Sequence, residues 1–176
     1  MTTMRRLAAA LLAPALLAGS SFAQTPAPNP LDTVPEKMPF DVPYGAPINL
    51  ERAQAAVAAA VAEAKKHDWK LNVAVVDSGG NLVAFARMDS AQLASIAISE
   101  HKARASVKYR RETKVFENAI QAGNLHYILT LDDVIASRGG IPLVEDGKLI
   151  GAIGCSGGTG SQDEVGCKVG AATINK

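Results

Sequence analysis

The stretch Glu145–Gly170, EDGKLIGAIGCSGGTGSQDEVGCKVG, combines a turn, a strand, a glycine-rich loop and the start of a helix. Asp146-Gly147 lies between two apolar runs, and both residues tolerate the positive φ that a tight hairpin turn requires. The second run contains Gly151 and Gly154, which leave gaps where another backbone or a flat ligand can approach. The pattern therefore predicts a hairpin that is followed by a loop and a helix.

The glycine-rich segment 156–160 separates this strand from a predicted helix that runs to about residue 175. Ser161 and Glu164 have the spacing of a capping box at the start of that helix. Phosphate binding is disfavoured because no Gly-Lys-Ser/Thr sequence is present, and a nucleophile elbow at Ser156 is disfavoured because no His follows it. Two roles stay open for the loop: its amides line a pocket, or it only connects the strand to the helix.

Residues 1–23 have the features of a secretory signal peptide. Arg5 and Arg6 form a positive start, residues 7–18 an apolar run too short for a comfortable membrane span, and Ser21–Ala23 a small-x-small cleavage site. Removing Arg5 and Arg6 from the 18 basic residues leaves sixteen against 17 acidic residues. This near-neutral balance disfavours a nucleic-acid partner. We expect a periplasmic or secreted protein without a membrane span.

The compartment affects how the two cysteines are interpreted. In an oxidising environment Cys155 and Cys167 can form a disulfide if the last helix folds back over its own strand. Two small thiols packed in the core are the alternative. A metal site is disfavoured because no second Cys or His lies at ligand spacing nearby.

Two segments of different composition precede the first predicted strand. Residues 24–48 contain seven prolines and are predicted to form an extended arm, which lies along its own domain or a neighbouring subunit. Four of its apolar residues alternate: Met38, Phe40, Val42 and Tyr44. Apolar spacing predicts an amphipathic helix over residues 49–67. The flat, alanine-rich face of this helix, together with the arm, predicts a homo-oligomer.

The rest of the chain predicts a sheet with flanking helices. Apolar runs at 71–77 and 81–88, joined by Ser78-Gly79-Gly80, predict a second hairpin. One helix is predicted over 92–109, and another runs from a cap at Thr113 to a stop at Gly123. The first of these has a predicted apolar stripe: Leu93, Ile96, Ala97, Ala103 and Val107. The prediction is an α+β domain over residues 49–176, with an antiparallel sheet of four to five strands.

Three blocks of the sequence carry a family resemblance: NVAVVDSGGNLVAFARMD (72–89), HKARASVKYRRETKVFE (101–117) and ASRGGIPLVEDGKLIGAIGCSGGTGSQDE (136–164). They resemble the GlcG/HbpS family, which includes the C-terminal domain of PduO-type proteins. The resemblance implies an antiparallel sheet with flanking helices and homo-oligomers from dimers to octamers. It also implies binding of haem or a related tetrapyrrole in several members, with haem breakdown in some.

A haem site would draw its donors from the helix 92–109 and from the loop after Gly123. His101 is the preferred ligand of the haem iron because a helical residue is held more rigidly than His126 on the loop, and Tyr109 is an alternative oxygen donor. The propionates are expected to pair with nearby cations: Lys102, Arg104, Arg110 and Arg111. Such a protein would sequester, sense or degrade haem.

A second interpretation is a small-molecule enzyme or sensor from an organic-acid pathway, in which the glycine loops form the pocket. Its polar groups would be Asp77, Arg87, Lys102 and Asp163. Asp77 stands at a strand end and would act as general base. Its alternative role is that of a turn residue whose carboxylate accepts hydrogen bonds from the amides that follow.

Overall fold

A computed structural model of the protein describes residues 29–175, so the predicted signal peptide at 1–23 lies outside the described residues. A short unit that ends at Glu36 contains the 3-10 helix Pro30–Asp32, and a compact unit begins at Lys37. The compact unit contains α1 (Leu50–Lys66), β1 (Asn72–Asp77), β2 (Leu82–Arg87), α2 (Ala94–Lys108), α3 (Lys114–Gln121), the 3-10 helix His126–Thr130, β3 (Gly140–Glu145), β4 (Lys148–Ser156) and α4 (Gly160–Ala171). Within residues 29–175 no helix has the length and apolar character needed to cross a bilayer.

The four strands form one antiparallel sheet in the order β2-β1-β4-β3. The predicted α+β class and both predicted hairpins are thereby confirmed. At the turn between β3 and β4, Asp146 and Gly147 have φ values of 49° and 72°, as the hairpin prediction requires. The central strands β1 and β4 are buried along nearly their whole length, so they carry most of the core.

Helices cover both faces of the sheet. Because side chains alternate along a strand, Val73 and Val75 of β1 face the main core with α1 and α4, whereas Val76 faces a smaller core with α2. Cys155 of β4 and Cys167 of α4 form a disulfide across the main core, with their Cα atoms 5.6 Å apart. α4 therefore does fold back over the strand that precedes it.

The alanine-rich face of α1 is used inside the chain. Four of its alanines are fully buried: Ala53, Ala56, Ala60 and Ala64. Gly170 of α4 approaches so closely that a Cβ at this position would lie 2.7 Å from the carbonyl oxygen of Ala56. The face that motivated the homo-oligomer prediction is therefore not exposed, and oligomer formation stays a prediction that needs another basis.

Only part of the predicted apolar stripe of α2 is buried, namely Ala103 and Val107. Leu93, just before the helix, and Ala97 are exposed, whereas the buried residues are mostly small or polar: Ser95, Ser99, Lys102, Ala103, Ala105, Ser106 and Val107. The cause lies in β4, where a Cβ at Gly154 would stand 2.1 Å from the carbonyl oxygen of Ser99. The helix backbone rests directly on the strand, so only small side chains fit between them. The backbone of α2 thus fills the gap predicted at Gly154.

Of the two predicted helix caps, the one before α4 is wrong and the one before α3 is right in position only. At the start of α4 the capping box consists of Thr159 and Gln162, each of which hydrogen-bonds the backbone of the other. The predicted partner Glu164 instead accepts hydrogen bonds from basic side chains. Thr113 occupies the N-cap position of α3 as predicted, but its hydroxyl makes no capping hydrogen bond and instead accepts one from the amide of Gly140 at 2.9 Å. The capping box of Thr159 and Gln162 is a local contact, whereas the hydrogen bond of Thr113 joins residues 27 positions apart.

The second part of the arm lies on its own domain. Tyr44 forms a parallel bridge with Leu149 of β4. Its hydroxyl donates to the carbonyl oxygens of Val107 and Lys108, at 3.2 and 3.0 Å. Of the two surfaces considered for the arm, the chain's own domain is the one that residues 37–48 contact.

Candidate functional site

The predicted haem-binding residues of α2 divide between two sides of the helix. Lys102 is only 1% exposed, and its Nζ donates to Oδ2 of Asp163 at 2.8 Å. A buried ammonium held by a buried carboxylate does not reach a ligand on the surface. The predicted contact between Lys102 and a propionate is therefore wrong, whereas His101 and Arg104 lie on the other, partly exposed side.

The outward side of α2 has an apolar half and a basic half. We call it the outward strip, and it consists of Ala94, Ala97, Ile98, His101, Arg104 and Lys108. Residues three, four or seven apart on a helix share one face. At a rise of about 1.5 Å per residue, Arg104 and Lys108 stand roughly 4.5 and 10.5 Å beyond His101 along the helix axis. Lys108 was not among the predicted site residues, although its seven-residue spacing from His101 was available as a signal.

His101 stands where the two halves of the strip meet. Its Nε2 atom is buried and has no hydrogen-bond partner among the described residues, a state shared only with Oδ1 of Asn72 in that part of the chain. Buried polar atoms in proteins normally have a partner, so this nitrogen keeps a bonding capacity that the described residues do not use. A neutral imidazole nitrogen is a common ligand of metals, including haem iron. The donor fits the group that the sequence predicts.

A loop is held against the outward strip. Asp133 forms an ion pair with Lys108, and the hydroxyl of Tyr109 donates to the carbonyl oxygen of Asp132 at 2.6 Å. The hydrogen bond from Lys108 holds the pKa of Asp133 below its ordinary value, and the positive charge of Arg104 acts in the same direction. The phenol of Tyr109 already has a partner, so the geometry does not favour it as an iron donor.

The other predicted haem-binding residues lie apart from the strip. Arg110 donates to the carbonyl oxygen of Val42 at 3.2 Å. The guanidinium carbon of Arg111 lies 3.2 Å from the ring centre of Phe40. Both arginines are therefore directed to the arm, and His126 is an exposed residue of the 3-10 helix 126–130. Of the predicted set, only His101 and Arg104 share one surface.

The structure separates the residues of the second interpretation. Asp77 lies at the hairpin, whereas Arg87 pairs with Asn72 at the other end of β1. At about 3.3 Å per residue, five residues of strand place them roughly 16 Å apart. The glycine-loop pocket with Asp77, Arg87, Lys102 and Asp163 is therefore not assembled.

Asp77 has the role of a turn residue. Its Oδ1 accepts hydrogen bonds from the amides of Gly79 and Asn81, at 2.8 and 2.9 Å. Burial opposes its ionisation, but the hydrogen bonds from the turn prevail, and the pKa of Asp77 lies below its ordinary value. A general base that works near neutral pH needs the opposite shift.

The glycine loop donates a backbone hydrogen bond to the buried ion pair of Lys102 and Asp163. The amide of Gly158 donates to Oδ1 of Asp163 at 3.0 Å. Burial raises the pKa of Asp163, while Lys102 and the loop amides act in the opposite direction. The loop amides are thus directed to a side chain of the chain itself. Within residues 29–175 no cluster of three or more His, Cys, Asp or Glu side chains is arranged to hold a metal ion.

Comparisons with known proteins bear on the family resemblance. A family model described as haem degrading protein HbpS-like matches residues 48–172. The protein GlcG of Escherichia coli strain K12 is 40% identical over 109 residues, which cover 62% of this chain and 81% of GlcG. Among solved structures, a PduOC:haem complex has a TM-score of 0.67 and 28% identity, and the match covers 74% of this chain and 96% of that one. A double mutant of HbpS from Streptomyces reticuli also has a TM-score of 0.67 and 28% identity, with 86% and 100% covered.

Proposed function

Because this chain belongs to the HbpS-like family, we propose that it binds haem or a closely related tetrapyrrole, with Nε2 of His101 as the iron ligand. The observation that carries the proposal is the buried imidazole nitrogen that has no hydrogen-bond partner among the described residues. The similarity to a solved PduOC:haem complex supports the choice of ligand.

The outward strip matches the parts of a haem molecule. Its apolar half, Ala94, Ala97 and Ile98, offers contact to the macrocycle, and its basic half offers Arg104 and Lys108 to two propionate groups. Haem would supply the redox and oxygen chemistry. The residues of this chain would hold the iron, orient the ring and neutralise the propionates.

Two contacts of the strip change when a propionate binds. Lys108 is paired with Asp133, and Arg104 is paired with Glu100 at 3.1 Å. All four side chains are partly exposed, so these ion pairs contribute little to stability and are readily exchanged. We expect haem binding to displace Asp133 from Lys108 and thereby to move the loop that carries it.

The proposal includes export and self-association. The signal-peptide features of residues 1–23 and the disulfide between Cys155 and Cys167 support an oxidising compartment. Leu93 beside the strip is 71% exposed, and a second copy that covers this apolar end would shield bound haem from water. Intact-mass measurement of periplasmic material should give a chain that begins at Gln24, and sedimentation should show an oligomer.

Haemin titration of the purified protein tests the function. Wild type should give a saturable Soret band with one haem per chain. His101→Ala should shift the band and weaken affinity by at least about tenfold, which corresponds to 1.4 kcal/mol. His126→Ala is the matched control, since it removes an exposed imidazole and should bind as wild type does.

Far-UV circular dichroism would show that both variants are folded. Equal spectra and affinities for wild type and His101→Ala would disprove the iron ligand. Absence of saturable binding by wild type would disprove the function itself.

A further inference from the structure

A separate cavity lies between residues 109–111, which follow α2, helix α3 and the segment 125–131 that contains the 3-10 helix. Its volume is about 340 Å³, at the lower end of the range of small-molecule sites. Most of its wall is apolar and includes Phe116, Ala119 and Ile128. Three side chains with polar groups, Tyr109, Arg111 and Tyr127, line the same space, and the hydroxyl of Tyr109 already donates to the carbonyl oxygen of Asp132. None of the outward-strip residues contributes to it.

Arg111 is held in a fixed position at this cavity. Its Nε donates to the carbonyl oxygen of Tyr109 at 2.9 Å. Its guanidinium carbon lies 3.2 Å from the ring centre of Phe40 and 5.6 Å from that of Phe116. Cation–π contacts with two aromatic rings, together with the hydrogen bond of Nε, hold the guanidinium in place before any ligand arrives, which lowers the entropy cost of binding.

Arg111 also lacks a counter-charge. Among residues 29–175 it has no carboxylate partner, and its terminal nitrogens have no hydrogen-bond acceptor. Three other arginines each pair with a glutamate: Arg52, Arg104 and Arg138. Burial, together with the neighbouring charge of Arg110, lowers the pKa of Arg111. An anion in the cavity would offset this unfavourable environment, and the guanidinium presents its donors in the planar fork that a carboxylate accepts.

We propose that this cavity binds a small organic monocarboxylate, with the carboxylate on Arg111 and the apolar body against Phe116, Ala119 and Ile128. The single cation and the apolar wall distinguish this ligand class from phosphate and from dicarboxylates, which need more charge or more polar contacts. The hydroxyl of Tyr127, which has no hydrogen-bond partner in the described part of the chain, is the second donor available at the cavity.

Ligand-detected NMR and calorimetry on the full chain without added haem test the proposal. The probes are benzoate, phenylacetate and hexanoate, and benzamide is the uncharged counterpart of benzoate. At least one acid should bind saturably with a Kd of about 1 mM or tighter, and benzamide should bind at least about tenfold more weakly. Failure of all three acids to saturate below about 10 mM would overturn the proposal.

Two variants place the ligand in the cavity. Arg111→Gln should weaken binding of the acid by at least about tenfold. Ala119→Phe fills the cavity while leaving Arg111 in place, so it should abolish binding even if Arg111→Gln disturbs the arm. Arg110→Gln is the matched control, since it removes an equal charge one residue away and should bind like wild type.

The result is independent of the haem proposal, because His101→Ala should bind the acid like wild type. Wild-type affinity for the acid in both Arg111→Gln and Ala119→Phe would overturn the cavity assignment. A change of oligomeric state in Arg111→Gln with unchanged affinity for the acid would also overturn it, since the partner of Arg111 would then be a second copy of the chain.

Discussion

The two sides of α2 differ in how strongly packing and charge balance restrict their side chains. The inner side carries serines, alanines and one buried lysine, and it rests on β4 at backbone distance. The outward strip carries an imidazole nitrogen without a hydrogen-bond partner among residues 29–175, and two partly exposed ion pairs. The inner side is constrained by size and by charge balance, so substitutions there should affect folding. The outward side is lightly constrained by folding, which leaves its residues free for a ligand.

The adjacent residues His101 and Lys102 show the difference between the outward and inner sides of α2. Successive helical residues diverge by about 100°, so one side chain faces outward and the next faces the sheet. Lys102 has its partner in Asp163, whereas Nε2 of His101 has none among the described residues. A basic residue near a proposed site is therefore informative only when its side of the helix is known.

The largest effect is expected from breaking the buried pair. Lys102→Met leaves the carboxylate of Asp163 buried without its counter-charge, which should lower the free energy of unfolding by roughly 3 to 5 kcal/mol. Urea denaturation at pH 7 measures the change. The double variant Lys102→Met, Asp163→Leu should recover part of the loss, since an apolar pair in place of a buried ion pair is often tolerated.

Arg104→Met is the matched control on the outward strip. It removes a cation whose ion pair with Glu100 is partly exposed, so it should cost less than about 1 kcal/mol. Equal losses of unfolding free energy for Lys102→Met and Arg104→Met would show that the inner and outward sides of α2 do not differ in their contribution to stability.

A smaller effect is expected from separating α2 and β4. In Gly154→Ala the new Cβ would lie 2.1 Å from the carbonyl oxygen of Ser99 and 2.6 Å from the amide nitrogen of Ala103, so the helix must move. Overpacking of this kind costs about 1 to 3 kcal/mol. Ala97→Leu adds a larger side chain on the outward strip and should change stability by no more than about 0.5 kcal/mol. Thermal unfolding of both variants makes the comparison, and a stable Gly154→Ala protein would contradict the close contact.

Local chemistry explains why much of the fold was predictable from the sequence. The turn at Asp146-Gly147 depends on two backbone conformations that these residue types favour, and the hairpin follows from it. The buried side of α2 was not predictable in this way. A periodicity argument sorts the residues of α2 by polarity. The buried residues are instead limited by size, because the helix contacts Gly154 of β4, which is distant in sequence.

The candidate site was predictable in part for a related reason. His101 was preferred because a helical residue is held more rigidly than one on a loop, and Arg104 was chosen as a nearby cation. The two lie on one side of α2 because residues three apart on a helix share a face. Lys102 was misassigned because its partner Asp163 is 61 positions away, and no local pattern indicates that contact. The cavity at Arg111 was missed because its walls come from three separate segments: residues 109–111 after α2, helix α3, and residues 125–131.

The smallest effect is expected at the ion pair between Lys108 and Asp133, which closes the loop over the outward strip. The hydrogen bond from Lys108 depresses the pKa of Asp133 in the folded protein, so its contribution is complete above the unfolded pKa of about 3.9 and is lost as pH falls through the folded pKa. Because both side chains are more than 40% exposed, Asp133→Asn should cost less than about 1 kcal/mol at pH 7. The difference between wild type and variant should shrink as the pH falls below about 4, since wild-type Asp133 then also loses its charge. Urea denaturation at pH 7 and at pH 3 measures both values, and a difference that grows toward pH 3 would contradict the assignment.

The same variant should take up haemin faster than wild type, because the ion pair that holds the loop is gone while His101 and Arg104 are unchanged.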